Sequence, residues 1–216
     1  PDHPGLAASL NNRAGLLQSQ GKLEEADLVL VRAIEIKETS LGPDHPSLAN
    51  SLGTRAVVLQ TQGKYDEADR LYLQSIEIQE KALGPDHPGL AASLNNRAGL
   101  LQSQGKLEEA GLVLVRAIEI LETSLGPDHP NLANSLGTRA NVLKAQGKYD
   151  EADCLYLRCI EIEESALGPD HPELAASLNN RAGLLQSQGK LDEARALFER
   201  ALAILRKYVG EGHQHT

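Results

Sequence analysis

Residues 43–46 read Pro-Asp-His-Pro, and the same four residues recur at 1–4, 85–88, 127–130 and 169–172. Each recurrence begins 42 residues after the previous one, so five units of equal length cover residues 1–210 of the 216-residue chain. A period between about 20 and 50 residues is typical of stacked repeats rather than of a single globular core. The sequence therefore predicts one repeat array with units at 1–42, 43–84, 85–126, 127–168 and 169–210, followed by a disordered tail at 211–216.

Each unit contains two amphipathic stretches separated by glycine. In the first unit, apolar residues at helical spacing predict a helix, helix A, over about residues 5–20, and a second helix, helix B, over about residues 23–41. Gly21 suits the left-handed residue that ends helix A, and Gly42 closes the unit, as Gly210 is expected to close the fifth. The apolar stripe of helix B is broad, so we expect it to pack on helix A of its own unit and of the next.

These units resemble the tetratricopeptide repeat, and more narrowly its 42-residue kinesin light chain type. The resemblance rests on the Leu-Asn-Asn segment of helix A, the Gln-Gly-Lys turn, the Leu-Gly-Pro-Asp-His-Pro linker and an aromatic slot filled by Tyr72, Tyr156 and Phe198. It implies an all-α fold, a right-handed superhelical solenoid of five antiparallel helix pairs. It also implies a non-enzymatic protein-protein interaction module, such as the ligand-recognition region of a larger NB-ARC receptor.

The side of each helix A that faces away from the core is expected to line the concave groove of the solenoid. Small residues and neutral amides occupy it, and each asparagine offers a donor and an acceptor to a peptide backbone. In the resembling family, asparagines at this place hold the main chain of a bound peptide. The predicted groove residues are Asn11, Asn12, Gly15, Asn50, Thr54, Val57, Asn95, Asn96, Asn134, Thr138, Asn141, Lys144, Asn179 and Asn180.

An arginine stands in every helix A where the resembling family has leucine; the five are Arg13, Arg55, Arg97, Arg139 and Arg181. One interpretation is that the aliphatic stem covers the core stripe while the guanidinium reaches water or an acidic neighbour. The other is a ladder of cations that binds an acidic ligand. The spacing of the residues leaves both open.

The two ends of the array differ. The fifth unit gains charged residues such as Glu199 and Arg206, which predicts a polar end to the stack. The first unit differs from the third only at Asp27/Gly111 and Lys37/Leu121, so its start carries no capping change, and we expect further sequence upstream. The alternative function is therefore a structural spacer or a scaffold that self-associates end to end through its first unit.

Several other classes of function find no support in the sequence. The net charge is −9 without a basic stripe, so we expect neither nucleic acid nor a membrane as a partner. Cys154 and Cys159 are five residues apart on one predicted helix, which disfavours a disulfide and favours a cytoplasmic location. Linker histidines such as His45 are expected to cap helix A rather than to bind metal, and no cofactor, metal or catalytic site is expected.

Overall fold

The chain was analysed as a computed structural model, which describes residues 4–212. These residues form ten α-helices and no strand: α1 (Pro4–Ser19), α2 (Leu23–Leu41), α3 (Pro46–Thr61), α4 (Tyr65–Leu83), α5 (Leu90–Ser103), α6 (Leu107–Leu125), α7 (Pro130–Ala145), α8 (Tyr149–Leu167), α9 (Pro172–Ser187) and α10 (Leu191–Gly212). Odd numbers are helices A and even numbers are helices B. The predicted all-α repeat fold is confirmed, and α1 and α2 end within one residue of their predicted bounds.

The helices belong to two compact bodies, with α1–α5 in the first and α6–α10 in the second. The boundary lies between Gly105 and Lys106, at the turn that joins the two helices of the third repeat. Each body is described by itself below. Where both helices of a repeat lie in one body, helix B packs on helix A of that repeat, and in each body a helix B also packs on the helix A that follows, as the broad apolar stripe predicted.

Glycine makes the turn inside each repeat. Gly63, between α3 and α4, has φ +77°, a left-handed conformation that side chains other than glycine rarely adopt. Lys64 then donates its backbone N–H to the carbonyl of Leu59 at 2.9 Å and closes the end of α3. This arrangement confirms the predicted glycine turn.

The linker histidine caps the helix A that follows it. The His45 ring nitrogen Nδ1 accepts the backbone N–H of Ser47 at 3.2 Å, and His129 and His171 make the equivalent contact with Asn131 and Glu173. His87 accepts from Gly89 at 3.0 Å, although α5 begins later, at Leu90. These bonds satisfy one of the free N–H groups of each helix start. His3 lies outside the described residues.

The last helix departs from the predicted repeat boundary. Gly42, Gly84, Gly126 and Gly168 each end a helix B and precede a proline, which disfavours helical backbone in the residue before it. Gly210 precedes Glu211 instead, and α10 continues through it to Gly212. The expectation that Gly210 closes the fifth repeat is therefore wrong. Residues 213–216 of the predicted tail, with His213 and His215, lie outside the described residues.

The core runs between successive helices of each body. In the first body, Ala14, Leu17 and Leu30 pack with Val58 of the next helix A. In the second, Tyr156 packs with Ala140 of its own repeat and with Leu184 of the next. Since each cluster spans three helices, no repeat buries its apolar residues without its neighbours.

The predicted polar end is only partly present. Glu199 and Arg206 are exposed, but α10 also exposes Phe198 and Leu202, at 39% and 46%. The residues at the same repeat positions in α8, Tyr156 and Ile160, are 0% and 6% exposed because α9 covers them. The added charges flank an apolar face of α10 without replacing it. Within the described residues, no helix is both long enough and apolar enough to cross a membrane.

Candidate binding groove

An open cavity of about 370 Å³ lies along the helices A of the first body. It is lined from α3 by Ala49, Asn50, Gly53, Thr54 and Val57, from α5 by Ala92, Ser93 and Asn96, from α4 by Ser75 and Gln79, and by Gln18 and Gly89. None of these twelve residues is charged. We call this cavity the first groove.

Helical spacing turns the lining residues of α3 and α5 to one side. Asn50, Thr54 and Val57 are four and three residues apart, so they follow one face of α3. Asn96 of α5 stands at the same repeat position as Thr54, one repeat later. The hydroxyl of Thr54 donates to the backbone carbonyl of Asn50 at 2.9 Å, and the Asn50 side chain is exposed and lines the groove. Four predicted groove residues are thus brought together here.

Gly53 leaves the bottom of the first groove without a side chain. A side chain added at Gly53 would meet the Ser75 hydroxyl at 3.8 Å, so α3 and α4 approach closely beneath the groove. That hydroxyl donates to the carbonyl of Ala49 at 2.8 Å and is fully buried. The backbone of α3 is therefore reachable from the groove, because no large side chain covers it.

Gln79 of α4 is one of the eight lining residues that are absent from the predicted groove set, and it is the one with an unusual environment. Its side chain is 8% exposed, and its oxygen Oε1 is buried with no hydrogen-bond donor among the described residues. The signal lay in the repeat position that Gln79 occupies: the five repeats carry Lys37, Gln79, Leu121, Glu163 and Leu205 there, while the residue before it is far less varied. We call this the floor position.

The floor position is buried or partly buried in the first four repeats, and its chemistry changes from one to the next. The ammonium of Lys37 donates to the carbonyl of Ser47 and to the hydroxyl of Ser51, both at 2.7 Å, and burial lowers the pKa of Lys37. Glu163 accepts from the hydroxyl of Ser177 at 2.9 Å, and burial raises the pKa of this carboxyl. Each polar residue at this position except Gln79 thus bonds to the helix A that follows.

Other predicted groove residues of the first body do not line the cavity. The Asn11 amide donates to the Ser51 hydroxyl at 2.8 Å, so it joins α1 to α3. Asn95 is 9% exposed within α5, and Asn12 and Gly15 lie exposed on α1. The Leu-Asn-Asn segment therefore turns its two asparagines to different sides, the first toward a neighbouring helix and the second outward.

In the second body, the predicted residues lie on α7 and α9. The Asn141 side-chain oxygen accepts from the buried Tyr156 hydroxyl at 2.5 Å, so this amide is engaged with the core. The ammonium of Lys144 lies 3.2 Å from the point where a side chain on Gly183 would begin. Lys144 thus crosses from α7 to α9. The remaining predicted residues are exposed or half-buried: Asn134 and Thr138 on α7, and Asn179 and Asn180 on α9.

The helix A arginines join consecutive repeats. The Nε atoms of Arg55, Arg97 and Arg181 each donate at 2.7 Å to an aspartate 28 residues earlier, on the preceding helix B; the partners are Asp27, Asp69 and Asp153. The interpretation in which the guanidinium reaches an acidic neighbour is confirmed for these three. Arg139 has Gly111 at the partner position, and no described acidic residue pairs with it.

The described residues offer little chemistry beyond binding. Burial raises the pKa of the Cys159 thiol to about 12, so the group stays protonated at neutral pH, and it contacts the carbonyl of Ala133 at 3.2 Å. Both cysteines are free thiols, and Cys154 is exposed. Among residues 4–212, no three His, Cys, Asp or Glu side chains are grouped as metal ligands.

Comparison with protein families assigns the repeat. The family profile of the tetratricopeptide repeat matches residues 5–81, 47–123, 92–165 and 140–207, in overlapping windows that cover most of the chain. The chain belongs to the tetratricopeptide repeat (TPR) family. TPR proteins are generally protein-protein interaction scaffolds, so the coarse function expected from the sequence is confirmed. Among curated proteins, none shows significant similarity to this chain.

Solved structures place this TPR protein near the kinesin light chain type. A Podosopora anserina protein described as a kinesin light chain with nearly identical TPR-like repeats is 30% identical, with a TM-score of 0.79 over 95% of this chain and 98% of that one. BtubC (BKLC) from P. vanneervenii is 20% identical, with a TM-score of 0.82 over 96% and 82%. A Rap protein in complex with Competence and Sporulation Factor is 17% identical, with a TM-score of 0.76 over 94% and 54%. The last two comparisons bear on the fold alone.

Proposed function

We propose that this TPR chain binds an extended peptide segment of a partner protein in the first groove. The observation that supports the proposal is the lining, twelve uncharged residues that combine small side chains with amides and hydroxyls. Such a surface lets a peptide backbone approach closely and gives it both donors and acceptors. A cavity of about 370 Å³ is also within the usual range of ligand sites.

The exposed amides of Asn50 and Asn96 are the main-chain contacts in this proposal. Both line the groove, on neighbouring helices A, and no hydrogen bond within the described residues engages either side chain. An extended peptide that crosses from α3 to α5 would meet one amide and then the other. Each contact adds affinity without favouring a particular side chain of the peptide, because the amide bonds to the peptide backbone.

The test is a selection of random 12-residue peptides displayed on phage, followed by titration of the best binder, synthesised with a fluorescent label. Asn96→Ala is expected to weaken binding by about tenfold, since a buried hydrogen bond of the complex loses its partner. Asn12→Ala is the matched control, because Asn12 has the same repeat position on α1 but lies outside the first groove. If no peptide is selected, or if both variants bind like the wild type, binding in this groove is refuted.

The second candidate function is end-to-end self-association, the alternative expected from the sequence. It is favoured by apolar residues exposed at the two ends, Leu6 and Leu16 on α1 at 43% and 59%, and Phe198 and Leu202 on α10. It is opposed by charge. Arg195 occupies the repeat position of Asp27, so stacking of two copies would bring Arg195 of one toward Arg13 of the next.

The wider setting comes from the family resemblance. A role as the ligand-recognition region of a larger NB-ARC receptor is part of the proposal, and so is a cytoplasmic location. The chemistry expected of this chain is binding, with any nucleotide-driven step in another domain. The full-length gene sequence tests this, because a receptor of that class encodes an NB-ARC domain in the same protein.

A further inference from the structure

The floor of the first groove contains a buried amide without an internal partner. Gln79 is more than nine-tenths buried and lines the groove between α3 and α5. Its oxygen Oε1 is shielded from solvent and receives no hydrogen bond from a described residue. A buried amide in this state costs a folded protein free energy, so its presence calls for a physical reason.

The same chain shows how the floor position is normally satisfied. Lys37 bonds to Ser47 and Ser51, and Glu163 bonds to Ser177, in each case on the helix A of the next repeat. The third repeat has Leu121 at this position; its side chain is 2% exposed and needs no hydrogen-bond partner. Of the polar residues at this position, only Gln79 is left without such a bond.

The helix that follows Gln79 keeps one of these partners and lacks the other, since Ser93 stands at the repeat position of Ser51 and Ser177 but makes no hydrogen bond with the Gln79 oxygen. Gly89 stands at the repeat position of Ser47, α5 begins only at Leu90, and Gly89 itself lines the groove. A side chain at residue 89 would begin 2.9 Å from the Nδ1 atom of His87, so glycine fits the place that the capping histidine takes here. The groove is therefore open directly beside the unsatisfied amide.

We propose that the Gln79 carboxamide is a specificity residue that pairs with an amide group of the bound peptide. This inference rests on the proposed function of the first groove. A carboxamide presents a donor and an acceptor and can rotate to exchange them, so its natural complement is another amide. The uncharged lining disfavours a charged side chain at this point, because burying an unpaired charge is costly.

Two sources could supply the amide, the peptide backbone or an Asn or Gln side chain of the peptide. The selected 12-residue peptide is therefore made in two series, one with each backbone nitrogen methylated in turn and one with each Asn or Gln replaced by Ala. A modification that removes the partner of Gln79 weakens binding to the wild type but not to Gln79→Leu. A non-additive position in the methylated series identifies the peptide backbone as the source of the amide, and one in the alanine series identifies an Asn or Gln side chain.

The variant Gln79→Leu isolates the amide, because leucine is the native residue at the floor position of the third repeat. Gln74→Leu is its matched control, the same substitution at an exposed site of the same helix, α4. Gln79→Leu is expected to bind the selected peptide about tenfold more weakly, and Gln74→Leu like the wild type. Thermal unfolding is measured on both, and the midpoint of Gln79→Leu is expected to equal or exceed that of the wild type.

The combination of unchanged or higher stability with weaker binding is what a purely structural glutamine would not produce. If Gln79→Leu binds within twofold of the wild type while Asn96→Ala loses affinity, the Gln79 inference is refuted and the proposed function stands. If neither variant loses affinity, both are refuted. If Gln79→Leu loses affinity but no modified peptide shows a non-additive position, the pairing with a ligand amide is refuted.

Discussion

At the scale of single residues, the chain repeats its core and varies a few buried polar positions. Ala14, Ala56, Ala98, Ala140 and Ala182 are all fully buried, so every helix A places the same small residue in the core. The floor position instead changes from Lys37 to Gln79, Leu121 and Glu163 along the same array. At the floor position, the contact with the next helix thus changes from one repeat to another.

Glu163 gives a pH-dependent prediction at this scale. Burial raises the pKa of its carboxyl, and the bond from Ser177 lowers it less. The folded chain therefore binds this proton more tightly than the unfolded chain does. The contribution of the carboxyl to the free energy of unfolding is largest below its ordinary pKa, and it is lost as the pH rises through the raised pKa of the folded chain. Glu163→Gln should therefore raise the free energy of unfolding at pH 7, by about 0.5–1 kcal/mol for this partly buried group.

The measurement is urea unfolding of Glu163→Gln and the wild type at pH 7 and at pH 4. The difference should shrink at pH 4, where both forms carry an uncharged group. Glu161→Gln is the control, because Glu161 is exposed on the same helix. A stability difference that is equal at the two pH values would contradict the assignment to the buried carboxyl.

At the scale of elements, consecutive repeats are joined by one repeated contact between a helix B and the next helix A. In the first body, Arg97 and Asp69 form this ion pair with side chains 17% and 22% exposed. Within the second body, Arg181 and Asp153 join α8 to α9, but Gly111 and Arg139 leave α6 and α7 without the pair. The α6–α7 junction therefore lacks a contact that its neighbours have.

Gly111→Asp should restore that contact. Gly111 lies within α6, and a side chain added there would meet no atom within 4 Å, so the aspartate has room. The expected increase in the free energy of unfolding is about 0.5–1.5 kcal/mol, from the better helix propensity and the ion pair together. Chemical unfolding of Gly111→Asp, Arg139→Ala and the double variant separates the two contributions.

The coupling between residues 111 and 139 is expected to be about 0.5–1 kcal/mol, as for other partly exposed pairs. Gly111→Ala serves as the reference for helix propensity without charge. Equal stabilisation by Gly111→Asp in the presence and absence of Arg139 would mean that no ion pair forms.

At the scale of the whole molecule, the two terminal helices expose apolar residues that internal repeats bury. Leu6 is 43% exposed, whereas Leu48 and Leu174, at the same repeat position, are 0% exposed. Phe198 on α10 shows the same contrast with Tyr156. Apolar exposure alone would favour stacking of copies, and Arg195 opposes it.

Arg195→Asp tests this balance. The substitution gives α10 the residue that Asp27 and Asp153 supply at internal junctions, and it provides a partner for Arg13 of a second copy. The variant is expected to self-associate with at least tenfold higher affinity than the wild type in sedimentation velocity, and increasing salt should reduce this gain. Arg206→Asp, an equal charge change elsewhere on α10, is the control. Assembly of the wild type at micromolar concentration would instead favour the scaffold function over the peptide-binding one.

Much of the fold was predictable because its determinants are local. The glycine turn and the histidine cap act within a few residues of sequence; the turn recurs in all five repeats, and the cap recurs in the four repeats whose linker histidine is described. The end of α10 was not predicted, since Gly210 was read by analogy with Gly168 although proline follows only the latter. Of the groove, Asn50, Thr54, Val57 and Asn96 were identified from helical spacing. Asn141 was assigned to the groove by the same spacing, but its oxygen bonds to Tyr156 on another helix.

The sequence by itself determined the repeat length, most helix bounds and the polarity of most helix faces, because backbone preferences and periodicity act over short distances along the chain. Only the tertiary structure decided that Arg97 meets an aspartate 28 residues away, and that the Gln79 amide oxygen is buried without a partner. Those outcomes depend on how far one helix lies from the next, and that distance is set jointly by side chains from several repeats. For this reason Asn96 could be placed in the groove from helical spacing, whereas the sequence marks the position of Gln79 only as variable and the structure places its side chain in the groove.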